Sequence, residues 1–328
     1  MATSPELAVS IAVSIVIPVY NEYENLPDLV ERVHTAMQDC GRTWELICVD
    51  DGSRDGSDRL LAQLAETHPA LQPRWLKRNY GQSTAMQAGF DAARGAVIVT
   101  LDGDLQNDPA DIPRLLDMLD ASPQVDIISG WREKRKDAFV LRKLPSWLAN
   151  KLISKVTGVR LHDYGCSLKL YRREALANVK LYGELHRFVP ALAREFGARV
   201  IETPVMHHPR LRGVSKYSID RTIRVLLDLL WVKFLLRFLH RPMHAFGGVG
   251  LTLLIPGLLM LAWLAGLKLF TGVDIGGRPL LMLGVMFTLM GGQFLGMGIL
   301  GEILIRIWHE PTRSQYLLRE APPEASPN

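Results

Sequence analysis

Short apolar runs alternate with helix-spaced apolar positions through the first third of the chain. Residues 14–18 (SIVIP) are an apolar, β-branched run, after which Leu29, Val33 and Met37 recur at helical spacing. A second apolar run at 45–49 ends at Asp50-Asp51-Gly52, and Leu60, Leu61, Leu64 and Ala65 then predict a second helix. Residues 74–77 predict a third strand. Ser83 is placed to cap a helix carrying Met86 and Phe90 on one face. Residues 96–101 (AVIVTL) predict a fourth strand, ending at Asp102-Gly103-Asp104. Strands that read as buried and alternate with helices predict an α/β domain, a mainly parallel sheet with helices on both faces. Ligands of such sheets lie beyond the carboxyl ends of the strands, where both acidic clusters fall.

The pattern changes after Arg241. Two apolar runs, about 245–270 and 280–305, each exceed the roughly 20 residues that a helix needs to cross a bilayer. The linking segment 271–278 is short. The outer flanks carry Lys233, Arg237 and Arg241 on one side and Arg306, Arg313 and Arg319 on the other. Positive flanks predict a two-helix hairpin with both ends in the cytoplasm and the loop outside. Residues 221–240 are apolar, with Arg221, Arg224 and Asp228 on one helical face, and read as an interfacial helix. The expected organisation is a catalytic-type domain at 1–218, a juxtamembrane helix at 219–243, two transmembrane helices at 244–308 and a cytoplasmic tail at 309–328. The N-terminal stretch has no basic n-region and predicts no signal peptide. Together these features predict a multi-pass protein of the inner membrane, with the lipid bilayer itself as a partner. Gly292-xxx-Gly296, with Gly284, Gly291, Gly298 and Gly301, allows close helix approach and suggests a homo-oligomer.

Composition adds two points. Three widely spaced cysteines, Cys40, Cys48 and Cys166, lack metal or redox spacing, and Cys48 reads as a core residue. The net charge of +4 is uneven: residues 131–160 hold nine basic and two acidic side chains. Beside a membrane tail, that block suits anionic lipid or a phosphate substrate better than nucleic acid.

The candidate chemistry is acidic. Asp102 and Asp104 stand two apart at a strand end and are hard oxygen ligands suited to Mg2+ or Mn2+, with Gln106 as a further oxygen. Asp50 and Asp51 end the second strand, where carboxylates can accept from a base N–H or a ribose hydroxyl. Ser53 and Asp55 read as a capping turn, and His207 and His208 as structural. Neither a dinucleotide-binding glycine pattern nor a P-loop is present. Gln72-Pro-Arg-Trp75 precedes the acidic pair and does not match the QxxRW of processive polysaccharide synthases.

IPVYNEYENL, VDDGSRDGS and LDGDLQNDP, at this spacing, resemble the family-2 glycosyltransferases of GT-A fold. DYGCSLKLYRR, HRFVPALA and the R-LR-GVSKYS segment, followed by two apolar helices, are similar to the polyisoprenyl-phosphate glycosyltransferases. That group includes dolichol-phosphate mannose synthases, bactoprenol glucosyltransferases and undecaprenyl-phosphate aminoarabinose transferases. The resemblance covers about residues 13–311. It implies transfer of one sugar from a nucleotide-sugar donor to a polyisoprenyl phosphate, with inversion. It implies donor contacts at Pro18, Tyr20, Glu22, Asp50, Asp102 and Ser215, and a metal site at Asp102, Asp104 and Gln106. It also implies acceptor-phosphate contacts at Arg132, Arg142 and Ser146, a base at Asp163, and a loop with Arg210, Ser215 and Lys216 closing on the donor phosphates; an already ionised phosphate needs little deprotonation, so the alternative for Asp163 is to orient the acceptor or balance arginine charge. Asp108 departs from the family, where many members carry proline. Transfer to another lipid or glycan, and a non-catalytic membrane scaffold or flippase component, are the rival readings.

Overall fold

The computed structural model describes residues 11–133, 154, 158–181, 183–209 and 242–309. They fall into two compact units, an α/β unit and a helical hairpin. In the first, β1 (Val13–Val19), β2 (Trp44–Asp50), β3 (Leu71–Trp75) and β4 (Val97–Thr100) are parallel, with β1 between β2 and β4. Helices α1 (Leu26–Gln38), α2 (Ser57–Thr67) and α3 (Gln82–Ala92) connect them. α1 buries Leu26, Leu29, Val30, Val33 and Met37 on one face and takes Pro27 in its first turn, where a missing N–H costs least. Val13, Ile15, Ile17 and Val19 join that face in one core, together with Ile112, Leu115, Leu116 and Leu119 of α4 (Asp111–Asp120). Val16 belongs to the other side of the sheet. A Cβ on Gly89 of α3 would lie 2.2 Å from its Cγ1, so α3 rests on β1 only because residue 89 is glycine. Helices therefore cover both faces, as the sequence predicts.

The second half of the sheet is less regular. β5 (Ile127–Trp131), β6 (Lys169–Arg172) and β7 (Val200–Pro204) complete the order β3-β2-β1-β4-β6-β5-β7. β6 runs antiparallel to both β4 and β5, while β7 is parallel to β5. A short helix α5 (Arg173–Leu176), a 3-10 turn (Leu185–Phe188) and α6 (Val189–Glu195) lie between β6 and β7. Two local expectations shift. The third strand starts at Leu71 rather than residue 74, because Leu71 is buried and pairs with Leu46. Pro73 is tolerated there because β3 is an edge strand. Ser83 is not the cap of α3, which Gly81 precedes; its buried hydroxyl instead meets His186 Nδ1 at 2.9 Å and accepts the His186 amide at 3.2 Å. All three cysteines are free, and burial pushes the Cys48 thiol up to about 12.

One buried polar cluster ties β1, β2 and the end of α3 together. Glu45 Oε1 accepts from Ser14 Oγ at 2.6 Å and from the Arg94 amide at 2.8 Å, and Oε2 accepts from Arg94 Nε and Nη2 at 2.9 and 2.6 Å. Burial alone would raise this carboxyl, but Arg94 and Ser14 hold it net below its ordinary value of 4.5. Its stabilisation is therefore full above that value and is lost as the pH falls through the lowered folded value. Glu45→Ala leaves the Ser14 hydroxyl and the Arg94 guanidinium without their acceptor, while the Arg94 amide keeps Ser14 Oγ at 3.1 Å, and is expected to cost about 2–3 kcal/mol at neutral pH. Urea melts of both proteins between about pH 3 and pH 7 check this, with the gap narrowing at the acid end.

The second unit is α7 (Pro242–Thr271) and α8 (Pro279–His309), packed on each other. The apolar stretches Met243–Thr271 and Pro279–Leu304, of 29 and 26 residues, are long and apolar enough to span a membrane. Their residues are largely uncovered: Trp263 is 67% exposed, Met282 79% and Phe270 91%. Side chains of this kind suit hydrocarbon rather than water. The helices meet along a glycine seam. A Cβ on Gly257 would lie 2.7 Å from the Thr288 amide nitrogen, and one on Gly291 would lie 2.6 Å from that of Leu254. Gly292 and Gly296 have open space around them instead. The close approach the glycines predict is thus realised within the hairpin. The predicted interfacial helix at 221–240 and the tail beyond 309 lie outside the described residues.

Candidate functional site

The loop after β1 is stitched to the loop after β2. Asn21 N donates to Ser53 Oγ at 2.9 Å, Glu22 N to Ser57 Oγ at 3.1 Å, Tyr23 N to Asp55 Oδ2 at 3.0 Å, and Arg54 N to Asn21 Oδ1 at 2.9 Å. Ser53 and Asp55 thus serve the turn, as their composition suggests. Asn21 (φ 56) and Leu105 (φ 59) are the only non-glycine residues with positive φ among those described. Each follows a strand end that faces the site, the kind of place where backbone strain of about 1 kcal/mol or more collects.

Asp50 is buried, and its two oxygens accept the Ser53 amide at 3.4 and 3.2 Å. It lines an open cleft of about 460 Å3 with Tyr20, Gly52, Trp75, Lys77 and Arg78. Gly52 has φ 69, and a Cβ there would lie 2.5 Å from the Arg78 carbonyl carbon. Asp51 is spent elsewhere: it accepts the amides of Tyr80 and Gly81 at 2.7 and 2.9 Å and so fixes the start of α3.

The acidic pair follows β4 directly. Gln82 Nε2 donates to Asp102 Oδ1 at 2.8 Å, and the Asp102 amide donates to Ser167 Oγ at 3.1 Å. Asn107 Nδ2 reaches the same hydroxyl at 3.0 Å. Asp104 is buried, and its Oδ1 accepts the Gln106 amide at 3.2 Å. Pro18 and Glu22 sit beside Gly103, where a Cβ would lie 3.7 Å from the Pro18 carbonyl oxygen and 3.5 Å from Glu22 Cγ. Asp108 and His208 pair at 2.8 Å at the foot of α4, outside this cluster. Burial first, and Asp104 second, push the Asp102 carboxyl above its ordinary range. A divalent cation at this turn would relieve both. Among the described residues no group of three or more His, Cys, Asp or Glu side chains is arranged to hold a metal. Two carboxylates fit a hard cation that keeps waters and shares phosphate oxygens with a substrate, so the residues suit Mg2+ or Mn2+.

A second set of charges lies across β6. Arg132, at the end of β5, meets Asp163 through two bonds, Nε to Oδ2 at 2.6 Å and Nη2 to Oδ1 at 2.9 Å. Burial would pull the guanidinium down, but the Asp163 pair more than offsets it, and the net direction is up. Lys169 on β6 is 3% exposed. Its ammonium donates to the carbonyl oxygens of Tyr164 (3.4 Å) and Cys166. Burial pulls it below the ordinary lysine range, while Cys166, Asp163 and Asp102 pull the other way.

The structure therefore brings Pro18, Glu22, Asp102, Asp104 and Gln106 to one turn, places Tyr20 and Asp50 on the adjoining cleft, and joins Arg132 to Asp163. Arg142, Ser146, Arg210, Ser215 and Lys216 lie outside the described residues. Gln82, Ser167, Lys169 and Glu202 escape the sequence reading. Lys169 alone leaves a local trace, a charge flanked by Leu168 and Leu170 in a short strand-like run; the others are recognisable only through contacts 20 to 65 residues distant.

The family model described as glycosyl transferase family 2 matches residues 14–180. A dodecaprenyl-phosphate galacturonate synthase of Rhizobium johnstonii is 47% identical over 315 residues, covering 95% of this chain and 93% of its own. An undecaprenyl-phosphate 4-deoxy-4-formamido-L-arabinose transferase of Klebsiella pneumoniae is 40% identical over 310 residues, covering 94% and 92%. Among solved structures, mannosyl-3-phosphoglycerate synthase of Rubrobacter xylanophilus shares the α/β fold at 15% identity, with a TM-score of 0.54 over 68% of this chain and 74% of that one. Glucosyl-3-phosphoglycerate synthase of Mycobacterium tuberculosis, solved with Mn2+ and uridine diphosphate, has a TM-score of 0.52 at 16% identity, over 71% and 86%.

Proposed function

We propose that this chain, which belongs to glycosyl transferase family 2, transfers one sugar from a nucleotide-sugar donor to a polyisoprenyl phosphate. The observation that carries the proposal is a juxtaposition. An acidic pair suited to a divalent cation stands at the end of β4, and a largely covered arginine, its side chain 11% exposed, stands just past the end of β5, with β6 between the two strands. The first half suits a nucleoside diphosphate, and the second suits another phosphate. The Rhizobium and Klebsiella relatives are named for different sugars but for the same kind of acceptor, a polyprenyl phosphate.

In this mechanism Pro18, Tyr20, Glu22 and Asp50 bind the nucleoside in the cleft. Asp102, Asp104 and Gln106 would hold Mg2+ or Mn2+, which when bound neutralises charge on the departing diphosphate. Ser215 contacts the donor, and Arg210 and Lys216 add positive charge at its phosphates. Arg132, Arg142 and Ser146 bind the lipid phosphate. One of its oxygens attacks the anomeric carbon as the bond to the nucleoside diphosphate breaks, with inversion. The acceptor phosphate is already ionised near neutral pH, so no proton must leave it. The hairpin spans the inner membrane and keeps the α/β unit on the cytoplasmic face. A reporter fused at Gly272 is then expected to read as external, and a cytoplasmic signal from it would refute that topology.

The test is transfer of radiolabel to undecaprenyl phosphate from a panel of nucleotide sugars, including galacturonate and formamido-arabinose donors, with the full chain in detergent. Label in an organic-extractable, acid-labile product is expected for one donor. Label reaching only a glycan or a different lipid would overturn the acceptor assignment.

A further inference from the structure

Among the described residues Asp163 is the carboxylate that hydrogen-bonds the acceptor arginine, and its surroundings leave it little chemistry to do. Its side chain is 7% exposed. Oδ2 accepts from Arg132 Nε at 2.6 Å and from the Arg132 amide at 3.4 Å. Oδ1 accepts from Arg132 Nη2 at 2.9 Å and from the Gly165 amide at 3.1 Å. An ionised carboxylate has about four acceptor positions, and four N–H donors meet this one from the described residues alone. A general base needs an open lone pair within reach of the proton it takes.

The segment that carries Asp163 is itself held from behind. Glu202 on β7 accepts the His162 amide at 2.9 Å on each oxygen and the Asp163 amide at 3.0 Å. Its Oε2 also meets His162 Nδ1 at 2.8 Å. The His162 ring lies on Trp131, with centroids 4.6 Å apart and an interplanar angle of 22°. Glu202 pairs in register with Ser129 on β5, three residues before Arg132. The two ends of the brace thus meet on one pair of strands.

We propose that Asp163 and Glu202 are positioning residues that aim the Arg132 guanidinium at the acceptor phosphate, and that Asp163 takes no proton in the reaction. Two bonds through the Nε–Nη2 edge fix the plane of the fork and leave the Nη1 end to present to an anion, the geometry in which arginine recognises phosphate. Glu202 acts one step further back, by fixing the backbone from which Asp163 reaches. The inference rests on the acceptor role proposed above for Arg132.

A double-mutant cycle in the full-length protein tests it, with kinetics for lipid phosphate and donor measured separately. Asp163→Ala is expected to lower kcat/KM for the lipid phosphate by roughly tenfold or more, with the donor KM changed by less than about twofold. In an Arg132→Ala background, Asp163→Ala should then add almost nothing. Asp163→Asn keeps the shape and should fall between wild type and Asp163→Ala, with an unaltered pH–rate profile; Glu202→Gln should show the same acceptor-side loss, but smaller. A full additional loss from Asp163→Ala in the Arg132→Ala background would overturn the proposal, as would loss of the acid limb of the pH–rate profile in Asp163→Asn. Thermal melts keep the clamp testable apart from turnover. Each single alanine variant should melt below the double variant, because it strands one buried charge; melting losses that simply add would count against the clamp. Wild-type protein that labels no polyprenyl phosphate at all would sink the acceptor assignment instead.

Discussion

Asp104→Ala is expected to lower turnover by roughly a hundredfold or more while the fold persists. The carboxylate sits on the turn that follows β4, buried, beside Asp102 and next to the Gln106 amide. Burial first and the Asp104 charge second raise the Asp102 carboxyl, so the two like charges on this turn oppose each other. Removing one therefore relieves repulsion, and the melting temperature should hold or rise even as catalysis fails. That opposition of stability and activity marks a cation site rather than a structural turn. Calorimetry with Mn2+ and uridine diphosphate should show weakened binding in the variant, and excess EDTA should silence the wild type. Full activity in EDTA would end the metal assignment.

Lys169→Met should cost about 2 kcal/mol of transition-state stabilisation, roughly thirtyfold in turnover. The ammonium holds the carbonyl oxygens of Tyr164 and Cys166 from beneath. The same loop delivers Asp163 to Arg132 at one end and Ser167 to the Asp102 amide at the other. Methionine matches the length and the burial but cannot donate, so both ends of the loop lose their anchor together. Removing a charge from a site that is 3% exposed also removes a desolvation cost, and the melting temperature should change little. Lys169→Arg keeps the donors but adds bulk to a filled slot and should recover part of the rate. Turnover of Lys169→Met within about twofold of wild type, in a protein that melts normally, would refute this role.

Much of this site is legible in the sequence because its first half is local. Asp50 and the Asp102–Asp104 pair each stand at the end of an apolar run, and the run locates the strand end. The two apolar helices are legible from length alone. In the second half Arg132 and Asp163 are reached only through the family resemblance, and their pairing is not legible, because its geometry comes from a reversal of chain direction that no local pattern announces. β6 is short, reads much like the parallel strands before it, and reverses its direction relative to β4. Asp51 shows the same limit at closer range: it is adjacent to Asp50 and chemically identical, yet it serves the Tyr80 and Gly81 amides 29 and 30 residues away. The start of β3 is hidden in the sequence because Leu71, Gln72 and Pro73 lack the apolar continuity that marks the central strands; pairing with β2 holds them in place.

The place of β6 between β4 and β5 also sets the order in which the chain can assemble. β1 to β4 can zip up in sequence, each beside a neighbour already made. β5 has no such neighbour, since its partners begin at Lys169 and Val200. At a synthesis rate of about 5–20 residues per second, its two edges wait for seconds before β6 arrives. When β6 does enter, it carries the Lys169 ammonium into the interior with it. Joining of β5 to the rest of the sheet and burial of that charge then fall on one late step, and β7 with Glu202 must still follow to brace Asp163 beside Arg132. A nascent chain that has not reached it has half a sheet and half a site.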